Sequence, residues 1–152
     1  KDIGAKVERG MMCLDNNKWW GAPMATRAAI WNLLPGAGEG KGDPWETIKQ
    51  SMRIGERTGV RLPHAMYAMS AYTKGDEELV RDAIRSYAAT TEMAVNPNYK
   101  MLDQMAFLIV QNISDRLWTE KAGSRTPPGS LGKFWDDAPA QQDDGVEIDD
   151  LL

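Results

Sequence analysis

The sequence predicts an all-α fold, a single bundle of about five or six helices followed by an acidic C-terminal tail. Three observations predict it. Apolar residues recur at spacings of three and four through most of the first 120 positions. Prolines and glycines fall where helices start and stop, and there is neither a β-alternation long enough to demand a sheet nor a repeat at a fixed period. With 152 residues, 42% of them hydrophobic and 26% charged, the chain is long enough to bury a core without a metal or disulfide staple.

Residues 3–14 carry Ile3, Val7, Met11 and Leu14 on one stripe, and Asp15, Asn16 and Asn17 end that helix. A second helix starts at Pro23 and runs to Leu34, where Pro35 and Gly36 stop it. The third has the clearest local signal. Asp43 is placed to cap it, Pro44 presets φ at the first helical position, and Glu46 stands at the capping-box position. It should run from 44 to about 58, bury Trp45, Ile48 and Met52, and stop at Gly59.

Pro63 begins a fourth helical segment that contains Met66, Met69 and Tyr72. After Gly75 and Asp76 comes the most regular one, with Leu79, Val80, Ala83, Ile84, Tyr87 and Ala88 on one face and charges opposite. Asn96-Pro97-Asn98 is a turn or a cap. Residues 99–119 then read as a long helix whose centre, MAFLIVQNI, is apolar nearly all round, a pattern suited to the middle of a bundle. The expected organisation is a helical domain over 1–122, a Pro/Gly linker over 123–132 and an acidic-hydrophobic tail over 133–152.

The net charge of −4 hides a division between body and tail. Residues 131–152 hold seven acids against Lys133 alone, so 17 bases and 15 acids remain for the rest. Acidic segments of this kind often bind partners. Phe134, Trp135, Val146, Ile148, Leu151 and Leu152 are interleaved with the acids, and a purely solubilising end needs none of them. The tail is therefore expected either to stay disordered alone or to dock on a partner or on its own body, where Lys49, Arg53 and Arg57 would attract it.

Several chemistries are argued against. Cys13 is the one cysteine, which rules out an intramolecular disulfide and a paired-cysteine zinc site; it suits a reducing compartment and is expected as a buried, inert thiol. No run approaches the roughly 20 apolar residues that span a bilayer, and no secretory pattern is present, so the chain reads as cytoplasmic, although its start at Lys1 rather than Met suits a processed form or an excised piece. PGAGEGKGD resembles a phosphate-cradling loop only superficially. Counting back from Gly40-Lys41, the motif's first glycine is Pro35, and its Ser/Thr position is Gly42. His64, the single histidine, has no nucleophile motif to serve and is expected in the first turn of a helix. No catalytic residue, cofactor or metal is expected.

Binding is the remaining class. Lys49, Arg53 and Arg57 are spaced at four on one helix flank and Arg61 follows, the densest run of bases in the body. Such a run can track phosphates or merely solvate a helix. Lys18-Trp19-Trp20 offers a cation beside two aromatics, one of which is expected to pack and the other to be exposed. The methionines, Met66, Met69, Met101 and Met105 among them, are expected as core filler.

The leading expectation is a non-enzymatic subunit of a nucleoprotein complex. Its body would contact the phosphate backbone through Lys49, Arg53, Arg57 and Arg61. Trp19, Trp20, Phe134, Trp135, Ile148, Leu151 and Leu152 would meet a protein partner or a second copy. The alternative is a protein adaptor or assembly factor that does not bind nucleic acid.

Overall fold

The computed structural model describes residues 3–138. These form six α-helices and one 3-10 turn: α1 (Ile3–Met12), α2 (Ala22–Leu33), α3 (Pro44–Thr58), α4 (Leu62–Lys74), α5 (Glu77–Ala88), the 3-10 turn Pro97–Tyr99 and α6 (Lys100–Ala122). No strand occurs among the described residues. The helix ends follow the local chemistry. The Asp43 carboxylate accepts from the backbone N–H groups of Trp45 and Glu46, Asp76 accepts from Leu79, and Gly59 closes α3.

The central element is α4, not the long apolar helix. It packs against α2, α3, α5 and α6, whereas α6 packs mainly on α4. The physical reason is side-chain size. Ala65, Ala68, Ser70 and Ala71 of α4 are all buried, and such small residues let neighbours approach from several directions at once. Ile48 and Met52 of α3, Val80, Ile84 and Tyr87 of α5, and Ala106, Val110, Ile113 and Leu117 of α6 close around them. Helix α6 buries only that stripe. Its other face exposes Met101 (79%), Met105 and Leu108 (57%), so these methionines are surface residues and not the expected core filler; Met69 of α4 is exposed beside them. Helix α1 contributes no buried residue, and Cys13, just past its end, is exposed rather than buried.

The segment after α6 returns along the bundle as a strap. Thr126 is buried, and its hydroxyl shares a hydrogen bond of 2.8 Å with Ser114. At Gly132 (φ +91°) an added Cβ would lie 2.7 Å from the Ala88 Cβ, so only glycine fits so close to α5. Phe134 (4% exposed) then enters the hydrophobic core. The guanidinium groups of Arg81 and Arg85 lie 4.8 and 4.9 Å from its ring centre, and the Arg81 guanidinium also lies 4.6 Å from the Trp135 ring. Asp136 binds Arg81 at 2.6 Å, and Asp137 binds Arg85 at 2.6 Å.

The first part of the acidic segment thus docks on its own body. It does so at Arg81 and Arg85 of α5 rather than at Lys49, Arg53 and Arg57, because the Phe134 ring is buried in the core beneath those two guanidinium groups and brings Asp136 and Asp137 within reach of them. Phe134, expected at a partner surface, is core, and Trp135 is half-buried against Trp118 at a centroid distance of 5.6 Å. Ile148, Leu151 and Leu152 lie outside the described residues.

Candidate nucleic-acid interface

The C-terminal end of α3, the loop before α2 and the turn before α6 converge on one surface. The loop is built by its own side chains. The Asp15 carboxylate accepts from the backbone N–H groups of Asn17 and Lys18, and Asn16 accepts from the Met24 N–H through its side chain at 2.9 Å. Two consecutive left-handed residues, Trp20 (φ +52°) and Gly21 (φ +78°), turn the chain into α2. At Gly21 a Cβ would lie 2.4 Å from the Ser51 carbonyl oxygen, so the glycine lets the loop press directly onto the α3 backbone. A left-handed tryptophan costs about 1 kcal/mol or more and persists only where its surroundings hold it. Here the Trp20 ring is held by Tyr99, centroid to centroid 4.5 Å, and by Trp19 at 5.7 Å. The turn at 96–99 is tied in turn to the end of α3, since the Asn96 N–H donates to the Gly59 carbonyl at 2.9 Å.

The four sequence-predicted bases divide into two pairs with different fates. Lys49 is ion-paired with Asp82 at 3.3 Å. Arg61, expected to contact phosphate, instead binds Asp103 through Nε and Nη2, and its backbone N–H donates to the same carboxylate at 2.9 Å. Burial alone would push the Asp103 carboxyl up; the hydrogen bonds and charge of Arg61 outweigh it and hold the group below its usual range. Hydrogen bonding to Asp103 likewise raises the Arg61 pKa. Arg61 is therefore committed to joining the start of α4 to α6, a role for which its position past the α3 stop gives no hint.

Arg53 and Arg57 are exposed and have no carboxylate partner among the described residues. Arg57 Nη2 donates to the Asn17 side-chain oxygen at 2.9 Å. That bond joins the basic flank to the tryptophan loop, where Lys18 Nζ lies 6.0 Å from the centre of the Trp19 ring. Trp19 is 40% exposed and Trp20 9%, one tryptophan outward and one packed. Tyr99 is also exposed, and Lys100 follows it directly. Sequence reasoning missed Asn17, Tyr99 and Lys100. Only the Asn-Pro turn signal pointed near the latter two, and nothing local reveals that a turn 80 residues away packs on the Trp19-Trp20 loop.

Beside this surface, α3 and α5 bound a cleft of about 390 Å3. It holds Lys49 and Arg53 but also Glu56 and Asp82, so its charges cancel and the net positive potential lies at the Arg57 end. Glu56 accepts from Nε2 of the fully buried His64 at 2.9 Å. Because a carboxylate only accepts, Nε2 carries the proton of the neutral ring, and Nδ1 is left buried without a partner. Burial pushes the His64 pKa below its ordinary value, outweighing the nearby Glu56. With its proton-bearing nitrogen tied to Glu56 and no solvent access, His64 is a packing residue of α4.

Among the described residues no group of three or more His, Cys, Asp and Glu could hold a metal ion, and no helix is long and apolar enough to cross a membrane. The loop at 36–42 is tied down by Lys41, which pairs with Glu8 at 3.2 Å and lies 5.8 Å from the centre of the Trp31 ring. No protein-family model matches the chain, and no curated protein or solved structure is significantly similar to it.

Proposed function

We propose that the chain is a non-enzymatic, nucleic-acid-associated subunit whose body binds a single strand at the junction of α3, the Trp19 loop and Tyr99. Arg53, Arg57 and Lys18 contact the phosphates, and Trp19 and Tyr99 stack on bases. The observation that carries this reading is the hydrogen bond from Arg57 to Asn17, which sets unpaired guanidinium groups beside an exposed tryptophan. Cations that track the backbone next to aromatic rings that accept any base are the physical requirements of sequence-tolerant single-strand binding.

The test is fluorescence anisotropy with a labelled single-stranded oligonucleotide across a salt series. Each phosphate contact on a single strand contributes about 0.7 to the slope of log affinity against log salt. The double substitution R53E/R57E should therefore flatten the slope by about 1.4 and weaken binding at least about tenfold at low salt. W19A should weaken binding by about 1–3 kcal/mol and leave the slope unchanged. Affinity unchanged in R53E/R57E overturns the proposal.

A second reading, a protein adaptor or assembly factor, is favoured by the apolar surface that α6 exposes at Met101, Met105 and Leu108. It predicts a protein partner that survives R53E/R57E and is lost on replacing Leu108 and Met105 with charged residues.

A further inference from the structure

Helices α4 and α6 leave between them a groove of about 500 Å3 lined by Met69, Tyr72, Leu108, Ile109, Ile113 and Arg116. It is apolar along its length and cationic at one end. Arg116 has no ion-pair partner among the described residues. The adjoining depression adds Arg125 together with Asp115, which accepts from Gln111 and the Thr126 N–H, and Glu120, which accepts from Tyr72, so Arg116 is the one charge on the groove itself. An exposed apolar groove with a positive end fits a segment that alternates apolar and acidic side chains.

The chain itself carries such a segment. Residues 143–152, DDGVEIDDLL, combine five acids with Val146, Ile148, Leu151 and Leu152. The strap before it already docks by the same chemistry, an apolar side chain into an interhelical groove and aspartates onto arginines. The strap also passes the last turns of α6: Trp118 Nε1 donates to the Lys133 carbonyl at 3.2 Å, Trp135 packs on Trp118, and Asp136 binds Arg81, whose partner Glu77 binds Lys121 at 3.0 Å, before Asp137 pairs with Arg85. Tyr72, on the α4 wall of the groove, donates to Glu120 in that same turn at 3.3 Å.

The four residues 139–142 span up to about 13 Å before the segment begins, and Ile148, ten residues beyond 138, reaches up to about 33 Å, close to the diameter of a domain this size, whose radius of gyration is about 14 Å. Arg81 and Arg85 are already taken by Asp136 and Asp137, and the α3 cations lie near the opposite end of α6, about 24 Å of helix away from Arg116.

We propose that residues 143–152 dock in cis in the α4–α6 groove, their apolar side chains against Met69, Leu108 and Ile109 and their acids at Arg116 and Arg125. This covers the apolar groove between α4 and α6 and leaves the Trp19 surface open, so it stands whether or not the body binds nucleic acid.

The experiment is methyl NMR on the full chain labelled at its methionine methyl groups, with Met69 and Met105 as reporters and Met12 and Met24 as distant controls. The triple substitution I148S/L151S/L152S should shift the Met69 and Met105 resonances and leave Met12 and Met24 in place. R116E should shift Met69 in the same way, and combining R116E with D149K/D150K should return it toward the wild-type position. The wild-type positions should not change on dilution. Met69 and Met105 resonances unmoved by the triple substitution overturn the proposal, because a distant change in sequence can reach them only through docking. A wild-type Met69 resonance that moves toward the triple-variant position on dilution also overturns it and assigns the groove to the tail of a second copy.

Discussion

Replacing Phe134 with alanine is expected to destabilise the whole domain, although Phe134 lies in a segment whose composition reads as solvent-exposed tail. Its side chain is almost fully buried in the hydrophobic core, beside Arg81 and Arg85 of α5. Deleting a buried phenylalanine costs about 3–5 kcal/mol, the lost transfer free energy plus a cavity term. The strap can settle inward or lift away once the ring is gone, which caps the loss, so a value of about 2–4 kcal/mol is expected. With about 2–4 °C per kcal/mol for a chain of this length, the melting temperature should fall by roughly 10 °C.

Urea unfolding of the wild type and of F134A, followed by circular dichroism at 222 nm, measures the difference directly. A variant within about 1 kcal/mol of wild type, with an unchanged denaturant slope, would refute the reasoning, because it would mean that the strap contributes no core contact. A lowered slope would have a different meaning, a native state already missing the strap.

Two further outcomes follow from the buried polar groups. D103N leaves the Arg61 guanidinium largely buried without its counter-charge and should cost about 3 kcal/mol in the same urea assay; a loss under about 1 kcal/mol would show that solvent reaches the pair. For His64 the folded pKa lies below the unfolded value of about 6.5, so in that window the unfolded chain binds the extra proton, and stability should fall as pH drops from 7.5 to 5.5. The Arg61 pKa is raised and the Asp103 carboxyl is held below its usual range, so both of these neighbours remain ionised throughout, and Glu56 is the other charged group that faces the ring. H64Q should be less stable overall but lack this component; a wild type equally stable at both pH values would overturn the assignment. The carboxylates of Asp103 and Glu8, held below their usual range, contribute a separate loss at lower pH, as each is protonated.

Local chemistry in the sequence determined the helices and their ends. The Asp43-Pro44 start and Gly59 stop of α3 and the period of the apolar face of α5 depend on residues within one or two turns, and they read correctly without tertiary information. Half of the candidate site was legible for the same reason. A stripe of bases at spacing four and a tryptophan pair of which one ring is exposed are local properties.

Other features were decided by packing alone. The apolar content of α6 suggested the centre of the bundle, but the central position went to α4, whose alanines and serine permit close approach on several sides. Lys49 and Arg61 look the same as Arg53 and Arg57 in sequence. Asp82 and Asp103, 33 and 42 residues further on, neutralise the first two and leave the others unpaired. The acidic segment showed its chemistry but not its address, because an aspartate pairs with whichever arginine borders the place where the adjacent ring is buried, and that place exists only once the helices have packed. Periodicity and capping act over a few residues and are written in the sequence, whereas ion pairing and burial depend on distances in space that no spacing along the chain encodes.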